Sequence, residues 1–195
     1  MVFAPDTEMS IAAAVEMVNT ARRRDGRDAM ATVEEVAEFA TRWGYSARLA
    51  GDESELAAVR DARDQIAEFW DVDRDAAAGL ANEMLARGGA VPYLTRHDDL
   101  DWHLHGTAPG APLATVLLVE TAMAMSDVVR SAEYDRLQRC EADDCDAVLV
   151  DLSRNRSRRF CDVNGCANRA HVAAYRARQA RTPRTPTLRH GDVVP

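Results

Sequence analysis

The side chains best suited to chemistry in this chain are four thiols. Cys140, Cys145, Cys161 and Cys166 are its only cysteines, and they form two C-x4-C pairs separated by fifteen residues. Paired thiolates are the donor set of a tetrahedral four-sulfur zinc site, each sulfur about 2.3 Å from the ion. The x4 gap is wider than the common C-x2-C knuckle, but its repetition restores the signal. Disulfides are the competing state, and they belong to oxidising compartments. The N-terminus carries Asp6 and Glu8 where a secretory leader has a basic region, so a cytoplasmic location with reduced thiols is expected. Zn2+ bound by all four cysteines is then the expected cofactor.

Arginine surrounds the thiols. SRNRSRRF (residues 153–160) lies between the pairs, and NRAHVAAYRARQAR (168–181) follows the last cysteine. Residues 1–151 hold 14 arginines against 30 acidic residues, a net −16. Residues 152–195 hold 10 arginines against Asp162 and Asp192, a net +8. Guanidinium forks suit phosphate and, in a major groove, guanine edges. Arg154, Arg156, Arg158, Arg159, Arg169, Arg176, Arg178 and Arg181 are therefore candidate nucleic-acid contacts, with DNA the expected partner. The competing role is pairing with the acidic N-terminal part. Arg169 and Asn168 sit beside a ligand and could instead bond the thiolates, while Asp151 and Asn155 could lock the turn.

Other constellations are weaker. His103 and His105 are two apart on a predicted strand and share a face; with Asp98, Asp99 and Asp101 they suggest a second metal site, against a plain polar hairpin. His97 falls in the turn. No nucleophile–base arrangement or glycine-rich phosphate loop is visible, so the chain is expected not to be an enzyme. Met9, Met17, Met84, Met123 and Met125, with Trp43, Trp70 and Trp102, read as core, the alternative being a pocket for a small-molecule effector.

The elements that must position these groups are mostly helical. Helices are predicted over Ser10–Arg24, Thr32–Trp43 (opening on a capping box), Ser54–Trp70, Asp73–Arg87 (stopped by Gly88-Gly89), Leu113–Val129 and Ser131–Arg139. A β-hairpin is predicted across Val91–His105. In the cysteine segment, Ala147–Val150 reads as a strand, Ser153–Ser157 as a turn, Arg158–Cys161 as a returning strand and Cys166–Arg181 as a helix. The fold class is thus mainly α with a small β-hairpin. A helical (α+β) domain over 1–135 precedes a four-cysteine strand-turn-strand-helix module over 136–181 and a mobile tail over 182–195. No apolar run is long enough for a membrane span.

Cys140-x4-Cys145, then VDLSRNRSRRFC, then Cys166-Ala167-Asn168-Arg169, resembles the CGNR zinc-finger family of bacterial proteins. Met17-Val18-Asn19-Thr20 is similar to the Leu-Asn-Thr signature opening the helical ABATE domain that usually precedes such fingers. The resemblance implies a stress-response transcriptional regulator whose helical domain senses a signal or dimerises. Ala167 departs from the family's glycine, Phe160 stands where tryptophan is frequent, and His171 where a basic residue is common. Alanine is strained only if that position needs positive φ, and at a helix start it is harmless. An RNA-binding or protein-docking module is the alternative, with Phe160 and Tyr175 the only aromatic platforms near it, and a small-molecule-binding enzyme ranks last.

Overall fold

Leu113 to Val129 is the most apolar run of the chain, and a helix that is apolar on most sides belongs in the middle of a bundle. In the computed structural model, which describes residues 2–96 and 101–181, it takes that place. The helices are α1 (Pro5–Asn19), α2 (Val33–Arg42), α3 (Glu53–Ala67), α4 (Arg74–Arg87), α5 (Leu113–Arg130) and α6 (Cys166–Arg181). The strands are β1 (Tyr93–Thr95), β2 (His103–His105), β3 (Leu137–Arg139) and β4 (Val148–Val150). α5 packs against α1, α3 and α4. Val116, Leu117, Val119, Met125 and Val128 are buried along it. The chain is mainly α, with two small antiparallel hairpins among the described residues, β1–β2 and β3–β4.

Local chemistry explains most helix ends. Thr32 accepts from Glu35 N–H while the Glu35 carboxylate accepts from Thr32 N–H, the capping box expected for α2. Asp52 and Asp73 cap α3 and α4 by accepting from Glu55 and Ala76 N–H. Gly88 ends α4 at a close approach, since a Cβ there would lie 2.2 Å from Val119 Cγ2 on α5. α1 starts at Pro5, suited to a first helical turn, and stops at Asn19 rather than Arg24. Its end is fixed by Thr20, whose hydroxyl donates to Met17 O at 2.6 Å and accepts from Arg63 at 3.0 Å. Arg63, 7% exposed, is held in turn by Asp28 at 2.8 and 3.0 Å.

Two expected elements are corrected. Ser131–Arg139 is no helix: Ala132 adopts φ 55°, a 3-10 turn spans Tyr134–Arg136, and Leu137–Arg139 becomes β3. β4 pairs back to β3 across the first cysteine pair (Leu137 with Val150, Arg139 with Val148), so Arg158–Cys161 is not a returning strand. That stretch keeps one ladder-like bond, Glu141 N–H to Arg159 O at 2.9 Å.

The methionine and tryptophan expectation holds for Met17, Met84, Met125 and Trp70, which are buried. Met9, Met123 and Trp43 are only half-buried. Trp102 is exposed, with the Arg96 guanidinium 5.4 Å above its ring. No helix among the described residues is long and apolar enough to cross a membrane. His97, Asp98 and Asp99, named above as candidates, and the tail expected to be mobile lie outside the described residues.

Candidate metal centre

β3 delivers Cys140, the turn before β4 delivers Cys145, the loop after β4 delivers Cys161, and Cys166 is the first residue of α6. All four sulfurs lie within 4.8 Å of one another. Cys161 Sγ is 3.7 Å from Cys145 Sγ and 3.6 Å from Cys166 Sγ. Sulfurs at about 2.3 Å from a tetrahedral ion would stand about 3.8 Å apart, so the donor set fits such an ion as it stands. Cys140, Cys161 and Cys166 are buried, and with Ala147, Phe160 and Val163 they form a small apolar cluster of their own. These four residues are positioned to hold a metal.

The electrostatics make the same point. Burial, reinforced by the neighbouring thiols, pushes Cys166 far above the ordinary thiol range; burial lifts Cys161 to about 11. Cys145 moves the other way: burial opposes its ionisation, but hydrogen bonds from Asn164 and Ala147 N–H outweigh it. Without a cation the cluster cannot collect four thiolates, and a coordinated divalent ion removes that barrier by deprotonating its ligands.

Several groups orient the sulfurs. Cys161 N–H donates to Cys140 Sγ at 3.4 Å. Arg169 donates to Cys166 Sγ at 2.9 Å and to both oxygens of Asp144 at 3.0 and 2.8 Å. Asp144 also pairs with Arg24 at 2.6 Å, from the loop after α1. Asn164, unassigned from sequence beyond its turn, donates to Cys145 Sγ at 3.3 Å and to Arg22 O at 2.9 Å, and accepts from Arg24 N–H at 2.8 Å. One carboxamide therefore touches a thiol of the cluster and the helical domain together.

β4 ties the two parts more firmly. Val148 and Val150 are buried in the main core with the helices. Trp70 Nε1 donates to Leu149 O at 3.0 Å, and the Asn19 side chain bonds the Val148 backbone. Asp151, fully buried, accepts from Ser153 and Arg158 N–H, each at 2.8 Å. Burial works against its charge, but those bonds hold its carboxyl below the usual range. The Asp151 carboxylate thus spans the turn between Ser153 and Arg158. Asn155, named with it for the turn, and Asn168, named for the thiolates, are both exposed, and their side chains make no hydrogen bond among the described residues.

The remaining arginines divide. Arg156 pairs with Glu133 at 2.7 Å, Arg158 with Asp162, and Arg159 with Glu141. Most of these carboxylates belong to the cysteine module itself. Arg154 and Arg176 are exposed with no ion pair among the described residues, and Arg178 is exposed. Arg181 closes α6, its side chain outside the described residues. Ala167 is the second residue of α6 and has no positive φ, so the departure from glycine carries no strain; Gly165 takes that conformation at φ 58°.

Comparison with known proteins places both parts. Residues 136–179 match the CGNR zinc finger, and residues 12–132 match the ABATE domain, whose model is described as a putative stress-induced transcription regulator. No curated protein matches the chain. The ABATE match alone spans more than half of the sequence, and the finger follows it with its four cysteines gathered in space. The chain belongs to the ABATE family, with a CGNR zinc finger as its C-terminal unit.

Proposed function

We propose that this chain is a DNA-binding transcription regulator, that Zn2+ is the ion held by Cys140, Cys145, Cys161 and Cys166, and that α6 is its principal nucleic-acid contact. It acts by binding rather than by catalysis. The observation that carries the reading is the setting of α6: its first residue is a metal ligand, and residues 171–180 are exposed throughout. Arg176 and Arg178 project from a helix that a metal fixes at one end, an arrangement suited to phosphate and base-edge contact. Arg154 would add a contact from the neighbouring turn.

The helical domain would supply regulation. A cleft of about 680 Å³ lies between α1, α2 and β4, lined by Val15, Phe39 and Trp43 on one side and Val150, Leu152 and Arg158 on the other. A small effector bound there would touch both family units at once. A homodimer is compatible with this scheme and would set the spacing of paired DNA half-sites.

Electromobility shift at low salt tests the reading. We expect binding by the zinc-loaded protein, weakened by Arg154→Ala, Arg176→Ala and Arg178→Ala, each lowering the salt slope by about one. Absence of affinity at low salt, or indifference to all three substitutions, would end it. A second reading is favoured by Val172 and Tyr175, 40% and 57% exposed and one turn apart on α6: the helix docks onto a protein or stacks RNA bases. Loss of binding on Tyr175→Ala with the arginine variants unaffected would point there.

A further inference from the structure

His103 and His105 lie on one face of β2, and their rings meet: the two Nε2 atoms are 3.0 Å apart. The outer nitrogens both face acceptors. His103 Nδ1 is 2.7 Å from Asp101 O, and His105 Nδ1 is 3.3 Å from the Glu120 carboxylate of α5. A carbonyl oxygen only accepts, and a carboxylate favours a proton on the nitrogen it faces. Each Nδ1 therefore carries the N–H, and in neutral rings each Nε2 presents a lone pair to the other. Two lone pairs at that distance repel. His103 is only 7% exposed, so solvent does little to screen them. A cation shared by the two nitrogens removes the conflict.

The geometry points to a second divalent transition-metal site, formed by Nε2 of His103 and His105 and chemically unlike the thiolate centre. Nitrogens 3.0 Å apart, each about 2.0–2.1 Å from one ion, subtend about 90–100° there, the angle between neighbouring positions of a four- to six-coordinate ion. Imidazole donors suit Zn2+, Ni2+ or Cu2+. The outer contacts, to a backbone carbonyl and to a carboxylate, are the partners that orient ligating histidines. Three elements hold the pair in place: β2 carries it, α5 supplies Glu120, and Asp6 of α1 accepts from Leu104 N–H at 3.3 Å. The site opens on a cleft of about 260 Å³ that Asp6, Trp43, Tyr45 and Ser46 also line, where water or a donor atom of a small ligand completes the coordination. This site stands independently of DNA binding by α6.

The test uses the full-length protein with its thiolate centre already zinc-loaded. Zn2+ is added and binding is followed by calorimetry and elemental analysis. The wild type is expected to take up one further equivalent. His103→Gln and His105→Gln each weaken that uptake by tenfold or more, and His171→Gln, on α6, leaves it unchanged. Glu120→Gln keeps both ligands and is expected to lower the affinity by about tenfold, which keeps the test informative if a histidine variant loses its fold by circular dichroism. A wild type saturating with no second equivalent, as a proton shared by the rings would give, overturns the site. So does a second equivalent bound as tightly by both histidine variants as by the wild type.

Discussion

Asn19 and Val148 are joined by two hydrogen bonds: the Asn19 amide donates to Val148 O at 2.8 Å, and its carbonyl accepts from Val148 N–H at 2.8 Å. Asn19 ends α1 and Val148 begins β4, 129 residues later, so one side chain completes the ladder on a strand edge that β3 leaves unpaired. Asn19→Ala strands a buried N–H and a buried C=O together. We expect a loss of about 2–4 kcal/mol in urea unfolding of the zinc-loaded protein. A change below about 0.5 kcal/mol would show that water replaces the carboxamide at no cost.

Arg169 faces Cys166 Sγ and Asp144 rather than open solvent. Arg169→Ala is therefore expected to lower metal affinity by about 10- to 100-fold, the usual effect of removing a group that orients a ligand. Competition with a chromophoric chelator reads this directly. Unchanged affinity, with DNA binding reduced at constant zinc content, would return Arg169 to the nucleic-acid surface.

The Asp28–Arg63 pair gives a pH signature. Burial opposes the Asp28 charge, but the bonds from Arg63 and Met30 N–H outweigh it and hold the carboxyl below its ordinary value. A carboxyl depressed in the folded state stabilises above its unfolded pKa of about 3.9, and that contribution fades as pH falls through the lower folded value. Asp28→Asn should thus cost about 2–4 kcal/mol at pH 7, since it leaves the Arg63 charge buried with less compensation. The gap from wild type should shrink below pH about 4. Denaturation of both proteins at pH 7, 4 and 3 measures it; a gap that does not close would mean the carboxylate's charge contributes nothing.

Metal removal should act unevenly. α6 is exposed from residue 171 onward and is anchored through Cys166 and Arg169, whereas β4 is held by the helical core. Chelation is expected to melt α6, the last of the six α-helices among the described residues, removing roughly a fifth of the helical circular dichroism while near-ultraviolet signals of buried Trp70 persist. Loss of helicity throughout would mean the two units unfold as one.

The sequence showed its candidate metal ligands because cysteine occurs nowhere else, and it showed α2 and α4 because their stop and start signals are local. It failed where the partner is distant. Tyr134–Arg139 is built of residues that accept a helix, and only pairing with Val148–Val150 makes its end a strand. Arg158–Cys161 offers the local partner for Val148–Val150 that sequence proximity suggests, but the strand pairs with Leu137–Arg139 instead. Asn19 and Asn164 were likewise unreadable as joints, since their partners lie 129 and 142 residues away. Arg156, Arg158 and Arg159 look alike in sequence to Arg154 and Arg176, and only folding gives the first three carboxylate partners.

Because Val148 and Val150 are shared property of both family units, the seam between them is a poor place to cut or graft. A finger expressed alone would carry two bare valines into water, and a helical domain expressed alone would keep an unfilled slot and an idle carboxamide at the end of α1. Chimaeras between relatives should fold only when the asparagine at the close of the first helix and the valine strand it grips travel as a matched set.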